Sequence, residues 1–212
     1  MDQKKDRIPL LWQQICFDND VKAFESLYYL LYDALVKFGM MYVNHREVAE
    51  EIVGDVFVKT WMGRDNMQHV QRIDTYLFVA VKNQSLNHLK KYSTLHVVVD
   101  DYENDVNLID TTNPQIQLEK KELQVYLDQC INALPQQCRI IFKLIKEDGL
   151  KYKEVAEILN ISPRTVQTQL VRAMQKLSIS LSAYAAQPSA TGVSIATFIN
   201  TVLLLIFSKI FF

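Results

Sequence analysis

Apolar side chains recur at steps of three and four between Asp20 and Tyr92, and again between Leu118 and Ser182. In "VKAFESLYYLLYDALVKFGMMYV" the residues Phe24, Leu27, Leu31, Leu35 and Phe38 share one broad face, which predicts a long amphipathic helix. "REVAEEIVGDVFVKTW" repeats the period through Val48, Ile52 and Val56 or Phe57, and ends in Lys59 to Trp61. "DTYLFVAVKNQSLNHLKKY" opens at Asp74, read as an N-cap, and closes on basic residues that suit the negative end of a helix dipole. Three helices of this length can pack as one small bundle. No internal repeat is apparent.

The pattern then breaks. "STLHVVVDDYENDVNLIDTTNPQIQ" holds acidic clusters and an Asn-Pro step but no sustained helical period, which predicts an extended linker. Helical spacing resumes from Leu118. Pro135 is expected to open a helix in its first turn, and Gly149 to stop one. "KYKEVAEILNISPRTVQTQLVRAMQKL" then packs two helices around a turn with no room for a loop. Val155, Leu159, Ile161 and Val166 have the spacing of a shared core, and Ala156 is small where the helices approach. Asn160 tolerates the left-handed turn, Ser162 caps the second helix and Pro163 takes its first position. Val166, Leu170, Ala173 and Leu177 should face inward, and Arg164, Gln167, Thr168, Gln169 and Arg172 outward. Arg and Gln can bond base edges bidentately, and a helix N-terminus favours phosphate, so this surface suits the DNA major groove. The plainer alternative is a helical hairpin with a solvated polar face.

Composition sharpens the picture in three places. With 49% hydrophobic residues, five Gly and five Pro in 212 residues, helices are favoured over a turn-rich β architecture. The net charge of -1 shows no overall basicity, yet it is segregated. Residues 96–118 carry Asp100, Asp101, Glu103, Asp105 and Asp110 with no Lys or Arg, a net of -5, whereas residues 119–182 carry ten basic and seven acidic side chains, a net of +3. Cys16, Cys130 and Cys138 form no CxxC pair and read as free thiols of a reducing cytoplasm; the four His lack metal-ligand spacing. No Gly-rich phosphate loop, paired catalytic carboxylates or nucleophile–base set is present. Neither an enzyme, a metal site nor a cofactor is expected. The N-terminus lacks the continuous apolar stretch of a secretory signal.

The end of the first block, "YLFVAVKNQSLNHLKKY", interleaves aromatics, amides and bases. Tyr76, Phe78 and Tyr92 offer stacking faces, Asn83 and Asn87 lie one turn apart, and Lys82, Lys90 and Lys91 attract phosphates. That mixture suits unpaired bases more than duplex. The alternative makes Tyr76 and Phe78 core residues and the lysines a solvated face.

Taken in order, these segments resemble a known family. "AFESLYYLLYDAL" is similar to region 2.1, "AEEIVGDVFVKTW" to region 2.2 and "YLFVAVKNQSLNHLKK" to regions 2.3 and 2.4 of the extracytoplasmic-function sigma factors of bacterial RNA polymerase. "LPQQCRIIFKLIKEDGLKYKEVAEILNISPRTVQTQLVRAMQKL" is similar to their region four, so the resemblance covers about residues 20–182. It implies an all-α protein of two helical domains joined by an extended acidic linker. Those are a region 2 domain at 20–94, the linker at 95–117 and a region 4 helix-turn-helix domain at 118–182. An N-terminal segment (1–19), a spacer (183–192) and an apolar tail (193–212) lie outside. The resemblance further implies core RNA polymerase, promoter DNA and an anti-sigma factor as partners. Glu50, Glu51, Asp55, Phe57 and Trp61 would dock the polymerase clamp. Tyr76, Lys82, Asn83, Asn87 and Lys90 would bind and melt the minus-ten element, with Asn83 accepting a flipped base. Arg164, Thr165, Gln167, Thr168, Val171 and Arg172 would read the minus-thirty-five element as duplex. The acidic linker would thread the polymerase's RNA exit path.

Departures are confined to single positions. Region 2.2 reads Glu51-Ile52-Val53-Gly54 where an acidic-x-Val-Gln run is common, Asn87 stands for an Asp, and Gln167 and Gln169 stand for Arg. The Tyr-Leu-Phe and Val-Lys-Asn pattern resembles versions from Bacteroidota. A stand-alone helix-turn-helix regulator with an N-terminal sensing or dimerisation domain is the alternative of a different class, and a membrane-tethered adaptor a weaker one.

"VSIATFINTVLLLIFSKIFF", residues 193–212, is 20 residues long and includes 13 Val, Ile, Leu or Phe. Those favour membrane insertion by about 4–8 kcal/mol, opposed by Asn200, the Ser and Thr residues and Lys209. Docking on an apolar protein surface is the first reading of this tail, and membrane anchoring of an otherwise cytoplasmic protein the second.

Overall fold

The computed structural model describes residues 2–92 and 124–185, and among these every regular element is helical. The first four helices are α1 (Asp2–Asp18), α2 (Val21–Val43), α3 (Arg46–Gly63) and α4 (Ile73–Tyr92). A single 3-10 turn, Arg64–Asn66, follows α3. Next come α5 over 124–132, then α6 (Gln136–Lys146), α7 (Tyr152–Leu159) and α8 (Pro163–Ala185). The acidic segment 95–117, residues 186–192 of the spacer and the whole apolar tail lie outside the described residues.

Local chemistry sets the boundaries. The Asp20 carboxylate accepts from Lys22 N at 2.8 Å and Ala23 N at 3.2 Å, satisfying two open donors of α2. Asn44 ends α2 in the left-handed conformation, φ 59°. α4 starts slightly earlier than the sequence pattern suggested. The Arg72 carbonyl accepts the Tyr76 N–H at 3.0 Å, so Asp74 sits inside the first turn, where its charge still favours the helix dipole, rather than at the cap. Pro135 likewise stands just before α6, its carbonyl accepting Arg139 N at 2.9 Å. Gly149 adopts φ 65° in the turn after α6, as a helix stop requires.

The helices form two compact units. In the first, α2 packs against α1, α3 and α4, and α7 packs against α4. Leu27, Leu35 and Phe38 of α2, Ala49 and Val53 of α3, and Ile73, Leu77 and Val81 of α4 are fully excluded from water. Phe38 and Phe78 meet edge to face at 5.2 Å. The bundle is larger than the three helices expected. α1 adds Ile8, Leu11, Trp12 and Ile15, one helical face that closes the core from a segment read as mere N-terminal chain. In the second unit the Tyr126 hydroxyl donates to the Ser180 carbonyl at 3.0 Å and its ring stacks on Tyr184 at 4.3 Å, tying α5 to α8.

Candidate nucleic-acid interface

The turn between α7 and α8 is built from backbone bonds. Asn160 takes φ 56° and ψ 50°; its N–H reaches Glu157 O at 3.2 Å, and Ile161 N–H reaches Ala156 O at 3.0 Å. That pair of bonds closes a Schellman motif and satisfies carbonyls at the end of α7. Ser162 Oγ then accepts Thr165 N–H at 3.0 Å, so α8 starts capped at Pro163. At the other end of α7, Glu154 accepts the Lys151 N–H at 2.6 Å.

From this start α8 turns Val166, Leu170, Ala173 and Leu177 inward, as their spacing requires. Arg164, Gln167, Thr168, Val171 and Arg172 are exposed. Two members of the expected surface behave differently. Thr165 is half-buried and its hydroxyl lies 2.8 Å from Ser162 Oγ, which commits it to the cap. Gln169 is not on the outer face: it is half-buried and accepts from Cys138 Sγ at 3.0 Å. Its place in the sequence alternates with the outward positions, but a polar partner on α6 draws it in.

On α4 the stacking and amide residues separate. Tyr76 is 41% exposed, and Asn83, Asn87, Lys90, Lys91 and Tyr92 also reach solvent. Phe78 belongs to the core. Asn83 and Asn87 are four residues apart and share a helix face. Lys82 differs from the other bases: it is half-buried, and its ammonium donates to the Ile158 carbonyl at 2.6 Å. Burial lowers its pKa below that of an ordinary lysine. Two side-chain atoms buried in this unit, Trp12 Nε1 and Ser85 Oγ, have no hydrogen-bond partner.

The expected polymerase face on α3 is a mixed surface. Glu51 and Asp55 are exposed; Glu50 accepts from Arg46 at 2.8 Å. Asp55 is held by Gln84 at 3.1 Å and by Lys59 at 3.7 Å. Phe57, expected to touch a partner, is 2% exposed, with its ring 4.8 Å from Tyr28 and 6.0 Å from Phe24. It is a core residue because Phe24 and Tyr28 of α2 pack against it. Trp61 stays half-buried, 4.9 Å from Phe24 and under the Arg64 guanidinium at 4.2 Å. The structure adds residues the sequence reading passed over. Val58 and Met62, one turn apart on α3, are exposed, Met62 at 74%, and so is Tyr29 on α2. Their signal was apolar residues lying off the core period.

Among the described residues no group of three His, Cys, Asp or Glu is placed to hold a metal ion, and no helix is long and apolar enough to cross a membrane. Cys16 and Cys138 are buried free thiols, and burial raises the Cys16 pKa above the usual thiol value.

Comparison with known proteins places these surfaces in a context. The family described as Sigma-70 region 2 matches residues 27–94, and Sigma-70, region 4 matches residues 124–177. The chain is similar to the RNA polymerase sigma-H factor of Pseudomonas aeruginosa, 22% identical over 169 residues that cover 76% of this chain and 88% of the relative. It is also similar to the ECF RNA polymerase sigma-E factor of Escherichia coli, 24% identical over 74% of this chain and 86% of that one. The ECF RNA polymerase sigma factor SigM of Bacillus subtilis is 23% identical over 72% and 91%. Two solved structures share the fold at 20% identity. CnrH in complex with the cytosolic domain of CnrY has a TM-score of 0.55 and covers 84% of this chain and 98% of that one. The sigma factor RpoE in complex with the anti-sigma factor NepR from Bartonella quintana has a TM-score of 0.59 and covers 76% and 98%.

Proposed function

Since the chain belongs to the extracytoplasmic-function sigma factors of bacterial RNA polymerase, we propose that α4 and α8 divide promoter recognition between them. Its work as a sigma factor is to direct core polymerase to promoters and to aid their opening. In this reading 20–94 and 118–182 act as the two recognition domains, joined by the acidic 95–117 segment along the polymerase's RNA exit path. α8 reads the minus-thirty-five element as duplex through Arg164, Gln167, Thr168, Val171 and Arg172, with Thr165 holding the cap. α4 takes the melted minus-ten strand on Tyr76, Asn83 and Asn87, with Lys82 and Lys90 on the phosphates. Glu50, Glu51, Asp55 and Trp61 dock the polymerase clamp from α3, supported by Phe57 beneath them. The protein performs no catalysis itself. It works in the cytoplasm, and the complex of the similar RpoE with the anti-sigma factor NepR supports an anti-sigma factor as a partner. The Bacteroidota origin rests on the Tyr76–Phe78 and Val81–Asn83 pattern.

The observation that carries the reading is the capped α8 start. Its Schellman turn and Ser162 cap fix the start of α8, which presents the exposed Arg164, Gln167 and Arg172. Run-off transcription tests it. Purified protein added to core polymerase should give initiation at a discrete set of promoters in the organism's own DNA. Sequence-specific binding that needs no core polymerase would instead favour a stand-alone regulator.

A further inference from the structure

α3 holds a glycine that its own packing does not call for. Gly39 on α2 has an internal reason: a Cβ there would come 3.3 Å from Ala49 Cβ, so the close approach of α2 to α3 requires it. Gly54 is different. It lies at the middle of α3, half-buried, and a Cβ there would meet nothing within 4 Å. Glycine in a helix interior weakens the helix relative to alanine, because more backbone freedom is lost on folding. Among the described residues no contact offsets that loss. The surroundings of Gly54 are equally specific. Glu47, Glu51, Gly54 and Val58 follow at steps of four, three and four, one seam along α3, with Met62 a turn beyond. Glu47, Glu51, Val58 and Met62 are all exposed. Neighbouring carboxylates are engaged, Glu50 by Arg46 and Asp55 by Lys59 and Gln84. Glu51 has no hydrogen-bond or ion-pair partner among the described residues. The seam is therefore acidic in its first half, apolar in its second and indented between them.

We propose that Gly54 is a docking notch: a helix of the polymerase clamp, basic toward Glu47 and Glu51 and apolar toward Val58 and Met62, crosses α3 at Gly54 and comes closer than any side chain there would allow. This rests on the reading of α3 as the clamp-docking helix. A seam with this spacing accepts a second helix along it, and a missing Cβ lets another backbone or a bulky side chain sit against the helix. Charge fixes the orientation, since the basic end of the partner must lie over Glu47 and Glu51 and its apolar end over Val58 and Met62. Gly54 stands where an amide side chain is common in the sequences this chain resembles, so contact through shape replaces contact through a side chain. The weakened helix then has a function outside the chain.

Gly54→Ala and Gly54→Gln in the full chain test this, each competed against labelled parent for core polymerase and each denatured in urea. Both substitutions should raise the urea midpoint, because either side chain forms helix better than glycine and has open space. Both should nevertheless weaken core binding, alanine by at least about fivefold and glutamine by more, since added atoms overfill a seat already taken by the partner. Stability and affinity thus move in opposite directions, which a damaged fold would not produce. Core binding by Gly54→Ala as tight as the parent's overturns the proposal. Tighter binding by Gly54→Gln overturns it too, and makes position 54 the site of a lost amide contact instead. A lower urea midpoint in Gly54→Ala would reveal an internal contact and sink it as well. If the parent itself does not bind core polymerase, the clamp reading of α3 fails and this inference with it; the other outcomes leave that reading standing.

Discussion

Asn83 and Asn87 project from the same exposed face of α4, with the Lys82 ammonium drawn aside to Ile158. An amide there can bond a base only after the base leaves the stack, which costs a few kcal/mol that pocket contacts must offset. Asn83→Ala should therefore leave closed complexes intact and reduce opening. Permanganate reactivity at the minus-ten thymines should fall, and undiminished reactivity would make Asn83 structural only. On α8, Gln167→Ala or Arg172→Ala should each cost about 1–3 kcal/mol of promoter discrimination. Footprinting would show this as lost protection of the upstream element. Gln169→Ala should not mimic them, since its amide is turned to Cys138. Tyr42 provides a test of the core. Burial pushes its phenol pKa up from 10.0 to about 12. The unfolded chain then loses this proton first as pH rises, so the stabilising preference for neutral Tyr42 is whole below about pH 10 and gone by about pH 12. At roughly 2–3 kcal/mol, the loss should be visible as a falling urea midpoint in that window, and Tyr42→Phe should flatten the fall.

At the scale of the element, α1 shows what periodicity alone leaves undecided. Ile8, Leu11, Trp12 and Ile15 have helical spacing, but Pro9 interrupts the run and polar residues surround it. Only packing against α2 and α4 makes that stripe worth folding, since an isolated helix of this length is marginal. Trp12 is 3% exposed, so Trp12→Ala should cost about 3–5 kcal/mol in urea denaturation of the full chain. Trp12→Phe keeps most of the packing and removes the unpaired indole N–H, and should cost less than about 1.5 kcal/mol. Equal losses in the two variants would mean that Trp12 Nε1 finds a partner in solution. The α7–α8 turn was legible for the opposite reason. Asn160, Ser162 and Pro163 act through bonds to residues within four positions, so their chemistry is written locally.

For the whole molecule, the proposed promoter reading rests on helices α4 and α8. The apolar residues 193–212 stand apart from this machinery, outside the described residues and outside both family matches. As an accessory segment they should be dispensable for transcription in vitro. Deleting them should leave run-off yield within about twofold, while solubility or localisation changes, because so apolar a surface promotes association or membrane contact. Outright loss of core binding in the truncated protein would instead make the tail part of the polymerase interface.

The amino-acid order by itself determined the helical class, because period and caps act over a few residues. It also determined the cap and inner face of α8, where one apolar period decides burial. What it left open was every question settled by a distant partner. Phe57 lies in the core and Val58 and Met62 outside it because of how α2 and α4 meet α3. Gln169 turns inward because Cys138 waits on α6. Lys82 and Arg72 are engaged because α7, more than seventy residues away in sequence, brings two carboxylates and a carbonyl to them. Spacing along a helix tells which residues share a face; only the tertiary fold decides what that face meets.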